Sequence, residues 1–116
     1  MTINDVREVE IDAEGGYKFI VVCLTDGDEN EKLVVRADEN CSYHRDILYL
    51  LRSQLPSNIT ARCIGGGQIL IDPKQKSIMI WGSSGDFGVE PDRTKTIELL
   101  QTAYPDYRVT EAKNRY

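Results

Sequence analysis

His44 is the only histidine of the chain, and it stands in Cys41-Ser42-Tyr43-His44-Arg45-Asp46, directly before the strongest apolar helical run. Imidazole changes charge near neutral pH, so in its neutral form it can act as a base or a nucleophile. Ser42 reads as an N-cap and Asp46 to Leu55 as the helix that follows. That places His44 at or just inside a helix N-terminus, where unpaired backbone N–H groups and the positive dipole end attract anions. Taken alone, a histidine near a helix start is more often a capping or surface residue, so the rest of the chain has to decide its task.

Other residues compete for chemistry. Cys23, Cys41 and Cys63 form no C-x-x-C pair, and none has an arginine six positions on, where Glu29, Ile47 and Ile69 stand instead. Cysteine-dependent phosphatase chemistry is thereby excluded, and small buried thiols are the expected fate. One histidine and three dispersed cysteines give no pair at metal-ligand spacing, so no metal and no cofactor is expected. Gly82-Ser83-Ser84-Gly85-Asp86-Phe87-Gly88 follows an apolar run and could present amides and hydroxyls to an anion, but it lacks a Walker lysine. Its Asp-Phe-Gly tripeptide has no kinase partners in so short a chain. Lys18 and Arg36 lie within or at the end of apolar strands, where a long cation either snorkels or enters a shared pocket. Gly65-Gly66-Gly67 reads as a bulge or a close backbone approach.

These residues need a scaffold. The chain has 116 residues, 41% hydrophobic and 28% charged, which suits one domain over 1–116 with a single core. A net charge of −5 argues against nucleic acid and anionic membranes as partners. With no apolar stretch long enough for a span and no signal-like N-terminus, the cytoplasm with reduced thiols is the expected compartment.

Val9 to Asp12 starts a strand, Ala13 to Gly16 a turn, and Tyr17 to Leu24 a central strand, the two strands pairing as a hairpin. Thr25 to Glu31 reads as a polar loop and Lys32 to Ala37 as the next strand. In the helix after His44, Ile47, Leu48, Leu50, Leu51 and Leu55 make a wide apolar face, and Pro56 marks its end. Strands follow at Ile59 to Ile64, Gln68 to Asp72 and Ser77 to Trp81. A flexible loop then leads to a second helix with Pro91 in its first turn and Ile97, Leu99, Leu100, Ala103 and Tyr104 inward. Pro105 ends that helix, and Tyr107 to Ala112 is a last strand. The fold class is α/β (α+β): a mixed sheet flanked by two α-helices.

Several segments coincide in order and spacing with one family. Val9-Glu10-Ile11-Asp12 with Tyr17-Lys18-Phe19, Arg36 before Tyr43-His44-Arg45-Asp46-Ile47, Cys63-Ile64-Gly65-Gly66-Gly67, Trp81-Gly82 with Ser84, and Tyr104-Pro105-Asp106-Tyr107 resemble the protein phosphohistidine phosphatases of the janus/ocnus family. The resemblance covers nearly the whole chain. It implies a six-stranded mixed sheet with two helices and metal-independent hydrolysis of the phosphoramidate bond of phosphohistidine in a protein substrate, by a monomer. It also implies that His44 is the catalytic residue, with Lys18, Arg36, Ser84 and the backbone amide of Arg45 at the phosphate. Two positions depart from the family pattern: Gln68 stands where an arginine commonly follows the glycines, and Asp86 where the loop commonly has a small residue. The alternative those departures raise is a non-catalytic phospho-binding protein on the same fold.

Overall fold

The computed structural model describes residues 1–27 and 30–112. Strands β1 (Val9–Glu10), β2 (Gly15–Asp26) and β3 (Glu31–Ala37) precede helix α1 (His44–Ser53). Strands β4 (Ile59–Asp72) and β5 (Ser77–Trp81), helix α2 (Arg93–Ala103) and strand β6 (Arg108–Glu111) complete the order. The six strands form one mixed sheet, β1-β3-β2-β4-β5-β6, antiparallel in its middle and parallel at both edges. The expected fold class is therefore the observed one.

Alternation along the strands separates two apolar layers. Ile20, Val22, Leu24, Val34 and Ile59 meet Ile47, Leu48 and Leu51 of α1. On the opposite face Phe19, Val21, Val35, Ile69, Ile78 and Ile80 meet Leu99 and Leu100 of α2. Each such buried side chain contributes about 1.5–3 kcal/mol relative to exposure, which holds both helices to the sheet.

Five local expectations change. β1 does not form a hairpin with β2; it pairs in parallel with β3, Val9 opposite Val35. Both flanks of β2 are already taken by β3 and β4, so the sheet edge is the place left for β1. The two strands foreseen on either side of the glycines are one strand, β4. Helix α1 begins two residues early, with Tyr43 rather than Ser42 at the N-cap. Helix α2 begins late, because the Asp92 carboxylate accepts the Lys95 N–H and sets the start, leaving Pro91 outside. Inside α2 the buried residues are Thr96, Leu99 and Leu100, whereas Ala103 is exposed. The centre of the Thr25–Glu31 loop, residues 28–29, lies outside the described residues.

The glycine strand carries the feature that matters most for position. Val21 is opposite Gly65 but Val22 is opposite Cys63, so Ile64 is an extra residue, a bulge. Before it, Ile59, Ala61 and Cys63 face α1. Ile64 itself faces α2, and after it the parity reverses: Ile69 and Ile71 face α2, and the even-numbered residues Gly66 and Gln68, opposite Ile20 and Lys18, face α1.

Candidate functional site

His44 is the first residue of α1. Tyr43 before it is extended, and the Asp46 carboxylate accepts the Tyr43 N–H at 3.2 Å while the Asp46 N–H donates to the Tyr43 carbonyl at 3.0 Å. By position, the amides of His44 and Arg45 have no helical carbonyl to bond.

The imidazole is 4% exposed, held against the glycine strand. A Cβ on Gly66 would lie 3.2 Å from His44 Cδ2 and 2.2 Å from the Phe19 carbonyl oxygen, so only glycine permits the ring to seat there. His44 Nε2 lies 2.9 Å from the Gly67 carbonyl oxygen. A carbonyl only accepts, so Nε2 carries the proton and in the neutral ring Nδ1 keeps its lone pair. The backbone thus selects which nitrogen is available for chemistry.

Lys18 is opposite Gln68 in the β2–β4 ladder, and Gln68 is opposite Trp81 in the β4–β5 ladder. Directly opposite residues share a face. Lys18, Gln68 and Trp81 thus form a half-buried row on the α1 side, two residues along β4 from Gly66, the glycine beneath His44.

The loop between β5 and α2 closes on itself. Ser84 N–H donates to Gly88 O at 3.0 Å and Gly88 N–H to Ser84 O at 2.8 Å, while Gly66 N–H donates to Gly88 O at 3.1 Å. Its serine was foreseen as a ligand, but Ser84 is 4% exposed and its Oγ accepts the Asp86 and Phe87 amides at 3.2 and 3.1 Å. Ser84 shapes the loop from within. Asp86 at the tip reaches the helix start, 3.9 Å from Arg45 Nη1, and the Arg45 guanidinium lies over the Tyr43 ring at 4.5 Å. Beside this corner runs a groove of 620 Å³ lined by Arg45, Leu48, Tyr49, Arg52, Cys63 and Phe87.

Arg36 is buried on the α1 side, but its donors turn to the β1 edge. Nη1 donates to Val35 O at 2.9 Å and Nη2 to Arg7 O at 2.8 Å, with Nε 3.8 Å from the Glu10 carboxylate. Burial draws its pKa below the ordinary guanidinium value, and Glu10 opposes that. The neighbouring 180 Å³ cavity is also lined by the carboxylates of Glu10, Asp12 and Asp38, which disfavour an anion there. The structure therefore groups His44, Lys18, Gln68, Arg45, Asp86 and the Ser84 loop, and turns the Arg36 donors away from them to the β1 edge.

The environment of the thiols disfavours the thiolate. Burial raises all three, and Cys63 is pushed up to about 11. Among the described residues no group of three or more histidine, cysteine or carboxylate side chains could hold a metal ion.

Residue types alone did not reveal Glu90, Arg93 and Thr96. Glu90 is 3% exposed, its carboxylate 2.8 Å from Arg93 Nη2 and accepting the Thr96 hydroxyl at 2.7 Å. The 90/93/96 spacing was the one signal available, and it reads as an ordinary helix-surface trio.

A sequence model described as the Janus/Ocnus family (Ocnus) matches residues 3–108. The chain is 33% identical over 109 residues to the sex-regulated protein janus-A of Drosophila yakuba, covering 93% of this chain and 80% of that one. Its identity to the janus-A protein of Drosophila melanogaster is 32% over the same length and coverage. The 14 kDa phosphohistidine phosphatase of Sus scrofa is 29% identical over 122 residues, covering 98% of this chain and 95% of that one.

Proposed function

Because the chain belongs to the Janus/Ocnus family, we propose that it hydrolyses the phosphoramidate bond of phosphohistidine in a protein substrate, with His44 as the reacting group. The observation that carries this reading is the bond from His44 Nε2–H to the Gly67 carbonyl, which leaves Nδ1 as the basic nitrogen beside the unpaired amides of a helix start.

Two routes use that nitrogen. In one, the Nδ1 lone pair attacks phosphorus while the P–N bond to the substrate imidazole breaks; the leaving imidazole takes a proton, and water then releases phosphate from phospho-His44. In the other, Nδ1 accepts a proton from water as the water attacks phosphorus; the substrate imidazole leaves with the P–N electron pair and takes up a proton from the His44 imidazolium or solvent. Lys18, Gln68 and the His44 and Arg45 amides stabilise charge on the phosphoryl oxygens, with the Ser84 loop as the wall opposite. Arg36 supports the site indirectly, by holding the β1 edge behind α1.

The test is phosphate release from a phosphohistidine peptide by the purified protein, in the presence of chelator. Wild type releases phosphate and His44→Ala reduces release by at least about 10²-fold; release that survives in His44→Ala overturns the reading. Protein quenched in alkaline denaturant, where a P–N bond survives, that retains phosphate on His44 selects the covalent route.

Gln68 and the Asp86–Arg45 pair favour a second reading, a phospho-binding protein without turnover. A carboxylate 3.9 Å from the arginine at the helix start competes with an incoming anion for that cation. Saturable phosphopeptide binding without phosphate release would decide for it.

A further inference from the structure

We infer that Arg93, held by Glu90 and Thr96, is a positioning residue for His44, acting through the glycine strand from the opposite face of the sheet. This rests on the proposed use of His44, although the geometry stands by itself.

The β4–β5 ladder begins only at Gln68–Trp81. Gly66 therefore lies past the end of β5, and three consecutive glycines without side chains are the least self-constrained backbone in the sheet. At that gap Arg93 Nη2 donates to the Gly66 carbonyl at 2.9 Å and Nη1 to the Gly82 carbonyl at 2.7 Å. One guanidinium thus stands in for the missing strand and ties β4 to the first residue of the Ser84 loop. The next carbonyl along, that of Gly67, is the one that holds His44 Nε2.

The glycines alternate in what they admit. Gly66 makes room for the imidazole on the α1 side. On the other side, a Cβ on Gly67 would come 3.2 Å from Arg93 Nη2, and one on Gly65 would come 2.0 Å from the Glu90 nitrogen. His44 and the Glu90–Arg93 pair therefore press on the same ribbon from opposite faces.

Arg93 is also placed against local preference. It is the first residue of α2, where the helix dipole disfavours a cation. The Glu90 carboxylate, 1% exposed at the side chain, offsets this with contacts to Arg93 Nη2 at 2.8 Å and Nε at 3.2 Å, and Thr96 fixes its second oxygen contact. The Arg93 guanidinium further lies over the Phe19 ring at 5.5 Å. Such a planar fork, oriented on every side, matches two carbonyls in a way that an ammonium cannot.

The single histidine makes the test direct. In nitrogen-correlated NMR spectra of ring-labelled protein, wild type shows the Nε2–H tautomer with a slowly exchanging ring proton. Arg93→Gln and Arg93→Lys shift the ring nitrogens toward a tautomer mixture and speed exchange of that proton, and Glu90→Gln does so to a smaller extent. In phosphohistidine-peptide turnover the Arg93 variants lose kcat, by on the order of 10²-fold for an ångström of displacement, with KM nearly unchanged. Should the Arg93 variants fail to fold, Glu90→Gln and Thr96→Val carry the same spectroscopic comparison. Folded variants with wild-type ring nitrogens and wild-type exchange would overturn the inference. Altered ring spectra in a protein whose wild type releases no phosphate would instead leave the strut standing and remove the phosphatase reading.

Discussion

At the scale of single residues, the imidazole is set by backbone atoms. Gly66 permits the ring's approach and the Gly67 carbonyl fixes its tautomer. Gly66→Ala is expected to destabilise the protein by at least about 2 kcal/mol in urea unfolding, because its Cβ would meet the Phe19 carbonyl. Gly85→Ala is the matched control: nothing lies within 4 Å of its Cβ position, and its unfolding midpoint should barely move. Cys63 gives a pH-dependent prediction. The folded protein keeps its thiol protonated to about 11, whereas the unfolded chain ionises nearer the ordinary value of 9.0. Its contribution to stability is therefore complete below pH 9.0 and falls as pH rises toward 11. Urea unfolding of wild type and Cys63→Ala across that range should show the steeper decline in wild type. His44 was legible from sequence as the only imidazole before an apolar helix. Arg93 was not, because its carbonyl partners belong to Gly66 and Gly82, positions defined by the bulge and the loop rather than by any pattern near residue 93.

At the scale of elements, the sequence signals were strongest where periodicity and burial agree. The continuous apolar run of β2 and the amphipathic α1 were readable for that reason. The partner of β1 was not, since a two-residue strand carries no information about which flank of the sheet is vacant. Nor was the union of the two segments around Gly65–Gly67, where the register shift shows only against Val21 and Val22. The start of α2 depends on one side chain: Asp92→Ala should lower stability by about 1 kcal/mol and speed amide exchange in the first turn of that helix. Since Arg93 opens the same helix, a frayed start should also loosen its hold on Gly66 and Gly82, which the His44 ring spectrum would record.

At the scale of the whole molecule, a net charge of −5 surrounds a site that would receive an anion. Long-range repulsion then opposes encounter, and the local amides and Lys18 act only at close range. Turnover of an acidic phosphohistidine peptide at low substrate concentration should accordingly rise as ionic strength increases from about 10 to about 150 mM. A fall over that range would show that the local cations dominate the approach.

The sheet ends in strands of two and four residues, β1 and β6, each parallel to its neighbour. Along β3, beyond the short reach of β1, the flank carries Glu31 and Lys32. Fibril growth needs a long, flat, uncharged run of unpaired amides on which a second chain can template, and short or charged borders deny it. The architecture that leaves the middle of the sheet free to carry a site thus also caps its borders against polymerisation by strand addition.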